Sequence, residues 1–242
     1  AFDTRASSDS ERMTLDGAVN KTAIMLAILV TTAAISWNFP SPFMVMISYV
    51  GIFAAAISSV VTFGFWMPFI GFIINPRPHL APKTWLVFAA GEGFFIGLIS
   101  LSFETMFPGI VLEAVSLTFC VAATLLFLYK SGIVKPSQNF VLMLCSAIFG
   151  IFLFYIGSLI YSLVTGVSPE IFSGSSNASI GLSLFIVGIA ALSLVLDFDI
   201  IEQSAEYGSP KYMEYFGAMA LVTTLIWLYI EILRLLAKFR SR

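Results

Sequence analysis

Charge is scarce in this chain. Of its 242 residues, 12 are Lys or Arg and 14 are Asp or Glu, so charged residues make up 11% against 59% hydrophobic, and the mean hydropathy is +0.96. A soluble domain of this size carries about a quarter charged residues, and that class is excluded. The net charge of −2 offers no basic surface for nucleic acid, and His79, the single histidine, cannot build a histidine metal site. Cysteine is nearly absent too. Cys120 and Cys145 both fall inside apolar runs, where they read as small buried hydrophobes and not as a disulfide. There is no nucleophile elbow, phosphate-binding glycine loop, HExxH or paired-Cys motif, so neither an enzyme nor a cofactor is expected. Short-period repeats, low-complexity tracts and a cleavable signal are missing as well.

Long apolar runs are what the chain has in quantity. An α-helix needs about 20 apolar residues to cross roughly 30 Å of hydrocarbon, whereas a transmembrane barrel would show short alternating segments. Seven spans are expected, over residues 22–37, 43–64, 84–102, 109–129, 138–165, 179–201 and 212–237. The fold class is therefore all-α, a polytopic seven-helix membrane bundle, with residues 1–20 as a polar leader and 21–242 as one transmembrane domain. Beyond the second span the apolar character continues to Asn75 past Pro68, which fits either one long kinked helix or a span followed by a re-entrant piece. Pro82, Pro108, Pro136 and Pro210 are placed for first helical turns, with Ser209 as an N-cap and Gly208 closing the preceding helix.

Charge placement orients the spans. With the N-terminus cytoplasmic, the inside segments hold Arg5, Arg12, Lys21, Arg77, Lys83, Lys130, Lys135 and Lys211, and the outside loops before the last span hold no Lys or Arg. The tail departs from this rule. Arg234, Lys238, Arg240 and Arg242 would lie outside if the last helix crosses, so either it turns back or packing overrides the rule.

Acids at or within the spans are the candidates for function, because Asp at mid-membrane costs roughly 2.5–3.5 kcal/mol on insertion scales, less near the interface. These are Glu92, Glu113, Asp197, Asp199 and Glu231, and only Glu231 has a basic neighbour close in sequence, Arg234. An acid without such a partner is either protonated or shares a cation, so Glu92, Glu113 and Asp199 are candidates for a cation pathway. Glu92 lies beside a stripe of small residues, Ala89, Gly93 and Gly97, that lets another helix approach closely, and Ser100 continues it.

Several motifs occur in order. They are Thr14-Leu15-Asp16-Gly17, Glu92-Gly93, Pro108-Gly109-Ile110-Val111, Leu196-Asp197-Phe198-Asp199 followed by Ala205-Glu206-Tyr207-Gly208, and Trp227-Leu228-Tyr229-Ile230-Glu231 through Arg234. Together they resemble the Bax-inhibitor family of YccA-like and transmembrane Bax-inhibitor-motif proteins over residues 13–238. The resemblance implies a bundle whose last helix is central, a bacterial inner-membrane location, and a pH-sensitive cation leak, with Ca²⁺ as the ion. It further implies a proton-sensing Asp pair between the sixth and seventh spans. Asp197 matches the first member, but Thr224 stands at the second. A shared proton then needs Glu231, Glu92 or Glu113 as the other acid, or the chain lacks that switch. The alternative is an accessory subunit that binds a membrane protein such as a membrane protease, through Phe63, Phe65, Trp66, Phe69 and Phe72. Lipid is the common partner of both.

Overall fold

The computed structural model describes residues 12–63, 77–167 and 169–242. In chain order the helices are α1 (Leu15–Asn38), α2 (Pro42–Phe63), α3 (Ala81–Met106) after a 3₁₀ turn at Pro78–Leu80, α4 (Ile110–Lys130), α5 (Gln138–Thr165), the one-turn α6 (Glu170–Ser173), α7 (Asn177–Glu206) and α8 (Tyr212–Arg240). Among the described residues, seven of these are long and apolar enough to cross a membrane, and no strand forms. The protein is an all-α polytopic membrane protein. Span 138–165 coincides with α5, α2 and α4 match theirs to within one residue at each end, and α1, α3, α7 and α8 extend beyond their apolar runs, because polar end turns remain helical once capped. The structure of residues 64–75, with Phe65, Trp66, Phe69 and Phe72, lies outside the described residues, as does the side chain of Phe63.

Local chemistry sets the helix ends. Extended Thr14 accepts the Gly17 N–H on its Oγ1 at 3.0 Å, which starts α1 at Leu15, within the stretch expected to precede the spans. Ser41, just before Pro42, and Ser137 accept the N–H groups of Met44 and Phe140, each at 3.2 Å. Pro82 falls in the first turn of α3 as expected, but Pro108 and Pro136 stand ahead of the caps Gly109 and Ser137 and shape the entering loop instead. Glu104 closes the α3–α4 turn by accepting the N–H groups of Gly109 at 2.6 Å and Val111 at 3.1 Å. At the end of α7, Gly208 has φ 66°, and the N–H groups of Gly208 and Ser209 return to the carbonyls of Ala205 and Ser204, as expected of a glycine stop. Ser209 is not the N-cap of α8. Its carbonyl instead accepts the Met13 N–H at 2.7 Å, and α8 opens only at Tyr212.

The chain forms two compact units, Ala1–Ser102 with Asp199–Thr223, and Phe103–Phe198 with Thr224–Arg242. In the first, α3 meets α1 and α2 through glycine. A Cβ added at Gly93 would run into Thr32 Oγ1 and the Leu29 carbonyl, and one at Gly97 into Ser36 Oγ and the Ala33 carbonyl. On another side of α3, Gly91 abuts Gly51. The stripe of Ala89, Gly93 and Gly97 is thus a packing surface, and buried Ser100 lies on it. The start of α1 is tied to α8 in the same unit. Buried Glu214 accepts both the N–H and the hydroxyl of Thr14 on Oε1, each at 3.1 Å, and its carboxylate fills the space that a side chain at Gly17 would need.

In the second unit, Leu144, Ile148 and Ile151 form one face of α5 and pack with Ile186 and Ile189 of α7, flanked by Trp227. The outer faces are apolar as well. Leu112, Phe127, Leu163 and Val164 are largely exposed, which is lipid-contact surface in a membrane protein. Cys120 and Cys145 belong to these outer faces, a correction to their expected burial: both are exposed free thiols, small enough to be accommodated against lipid.

Gly93→Ala or Gly97→Ala should lower stability by about 1–3 kcal/mol, the usual cost of overpacking. Gly150→Ala, which meets no neighbouring atom, should change it by less than about 0.5 kcal/mol. Thermal unfolding in a mild detergent checks both.

Candidate functional site

The second unit contains a polar seam between α7 and α8. Residues seven apart on a helix lie on nearly one line, and Thr224, Glu231 and Lys238 share such a line on α8. On α7 the facing line carries Ser179, Ser183, Ser193 and Asp197. Thr224 hydrogen-bonds the Asp197 carboxyl, and Lys238 Nζ donates to Ser183 Oγ at 2.7 Å and to the Ser179 carbonyl at 3.3 Å. Both contacts are two heptads apart on each helix, so the antiparallel register is constant between them.

Asp197 is the group left incomplete. Its Oδ2 is shielded from solvent and has no hydrogen-bond partner among the described residues. Ser193, one turn earlier, donates to its own helix at the Ile189 carbonyl, 2.9 Å away. A buried oxygen without a partner costs about 1–3 kcal/mol, so its persistence calls for an occupant or a proton.

Glu231 has the opposite character. It is 3% exposed, and its Oε1 accepts from the Tyr155 hydroxyl at 2.7 Å and from Arg234 Nη1 at 3.3 Å. Arg234 Nη1 also donates to the Tyr155 hydroxyl at 3.2 Å, which closes a three-membered network between α5 and α8. With Lys238, Ser183, Leu182 and Ile186, this network lines a pocket of about 220 Å³.

The remaining expected site residues are dispersed. Glu113 is half exposed at the start of α4 and pairs with Arg240 Nη2 at 2.7 Å, a surface ion pair of small energetic value. Asp199 accepts from Gln203 Nε2 at 2.6 Å and, like Glu92, belongs to the first unit. Glu92 is partly buried on α3 between Phe88 and Ile96, one turn to either side. None of Glu231, Glu113 or Asp199 is bonded to Asp197 among the described residues; Thr224 is. Sequence patterns alone did not reveal Tyr155, Ser183 or Lys238 as site residues. Only the seven-residue spacing from Thr224 to Lys238 carried a signal of them.

The basic tail is also accounted for. Helix α8 runs unbroken to Arg240 and does not turn back, and its cations are engaged by protein: Arg234 and Lys238 as above, Arg240 by the carbonyls of Phe107 and Pro108 and by Glu113, and Arg242 by Asn177.

A family model described as Bax inhibitor 1 like matches residues 1–241. The chain belongs to that family of membrane proteins. No curated protein and no solved structure matched it.

Tyr155→Phe removes the stronger of two donors to a buried carboxylate and should cost about 1–3 kcal/mol. Tyr161→Phe, on the exposed face of the same helix, should be silent. Unfolding of the two variants side by side in detergent checks this.

Proposed function

We propose that this member of the Bax inhibitor 1 like family is a pH-sensitive cation leak of the bacterial inner membrane, with calcium as its ion and Asp197 as its gate. The observation that carries the proposal is the shielded, unpartnered Oδ2 of Asp197 beside Thr224. Hard cations favour carboxylate and carbonyl oxygen, and a carboxylate with one open oxygen can receive either a cation or a proton.

The gate then works without a second acid. A threonine hydroxyl both donates and accepts, so Thr224 can donate to the carboxylate or accept from the protonated acid by turning its O–H. Asp197 can thus gain or lose a proton without losing its contact to α8. This differs from a shared-proton pair, in which two like charges at contact cannot both ionise. The loop charges support a cytoplasmic N-terminus. The other reading, an accessory subunit for a membrane protease, drew on aromatic residues outside the described side chains, and no contact in this structure favours it.

Calcium flux into liposomes, measured for wild type and Asp197→Asn from pH 6 to 8, tests the proposal. Wild type should show a flux that changes with pH, and the Asn variant, which cannot ionise, should give a flat profile. Equal and negligible flux in both proteins would overturn it.

A further inference from the structure

The pocket at Glu231 has chemistry that the leak does not use. Its charged lining is one carboxylate, Glu231, against two cations, Arg234 and Lys238, which leaves one positive charge in excess. Oε1 of the carboxylate is engaged by Tyr155 and Arg234 Nη1. Arg234 has five N–H donors, and among the described residues only those on Nη1 are engaged, while its side chain is 45% exposed. Lys238 uses two of its three donors on Ser183 Oγ and the Ser179 carbonyl, and so is held in place with one N–H to spare. The pocket therefore presents open donors on Arg234 and Lys238, held by buried partners, beside a carboxylate whose Oε2 takes no part in these bonds, and its charge balance stays positive. Its other wall is apolar, from Leu182 and Ile186. Lys238 and Arg234 lie within the last two turns of α8, and Ser183 lies near the start of α7, so the donors sit toward one end of the spanning helices, where headgroups meet hydrocarbon.

We propose that this pocket binds a phosphate group, with Arg234 and Lys238 as its ligands and Ser183 positioning the lysine. Guanidinium and ammonium groups on one helix face, four residues apart, form a two-point donor set for a phosphate oxyanion. The phosphate can come from an anionic phospholipid, whose chain would lie along Leu182 and Ile186, or from free inorganic phosphate. This inference does not depend on the leak proposal.

The purified full-length protein, placed in nanodiscs of mixed phosphatidylglycerol and phosphatidylcholine, is released into native mass spectrometry to read the retained lipid. In parallel, its thermal stability is measured in neutral detergent with and without millimolar inorganic phosphate. The expected result is selective retention of phosphatidylglycerol, reduced at least fivefold in the double variant Arg234→Gln, Lys238→Gln and preserved in Lys238→Arg. The double variant Arg240→Gln, Arg242→Gln removes the same charge outside the pocket and should retain lipid as wild type does. Stabilisation by inorganic phosphate that the pocket variant abolishes, without lipid retention, would identify the free ion as the source. No selective retention and no phosphate effect would overturn the proposal, as would equal loss in the two double variants. If the pocket variant fails to fold, Ser183→Ala replaces it, and undiminished binding there together with absence of any effect in Lys238→Glu would also overturn it.

Discussion

Within hydrocarbon a polar group has no water to fall back on, and the second unit is organised by how α8 meets that requirement. Three polar residues, one heptad apart, all face protein: Thr224 toward Asp197, Glu231 toward Tyr155, and Lys238 toward Ser183. Sliding α7 along α8 by a single residue would break the first and last contacts together, because both depend on one register. The polar seam adds a requirement specific to one register, alongside the hydrophobic face of α5 against α7.

The same seam separates two carboxylates by environment. Glu231 is closed on itself, with a phenol and a guanidinium meeting one oxygen, and its role is to hold α5 and α8 together while fixing Arg234. Asp197 keeps an oxygen in reserve. The two acids on adjoining helices thus differ in how far they are engaged by protein, and an intramembrane acid lacking a full set of partners is where chemistry is to be sought. The pocket is a third environment, in which positive charge exceeds negative.

Much of the fold was legible in the sequence, because a membrane span is a one-dimensional signal. Length and hydropathy located the seven long helices, and the small-residue stripe of α3 predicted close approach of another helix, which α1 supplies. The glycine stop at Gly208 was legible for the same reason, being a local event. What could not be read was pairing at a distance. Nothing near Tyr155 marks it as the donor to Glu231, 76 residues away, and nothing near Ser183 marks it as the seat of Lys238, 55 residues away. Ser209 misled because its hydroxyl suits a cap, while its carbonyl was already taken by Met13 from the other end of the chain. At the candidate site, Asp197 and the substitution at Thr224 were visible beforehand; their direct contact, and the absence of another acid from it among the described residues, required three dimensions.

Glu214 and Thr14 are 200 residues apart, and their contact gives the protein a clock. Ribosomes add about 5–20 residues per second, so Thr14 emerges some 10–40 s before the carboxylate that receives its N–H and hydroxyl. During that interval α1 can already meet α3 at Gly93 and Gly97, but its start has only its own threonine cap, and Gly17 faces an empty slot. The start of α1 is thus secured only after the first turn of α8 has been made, and its contact with Glu214 reports that α8 is in place. A chain truncated before α8 would display an unfilled start of α1, a local mark by which incomplete copies differ from finished ones.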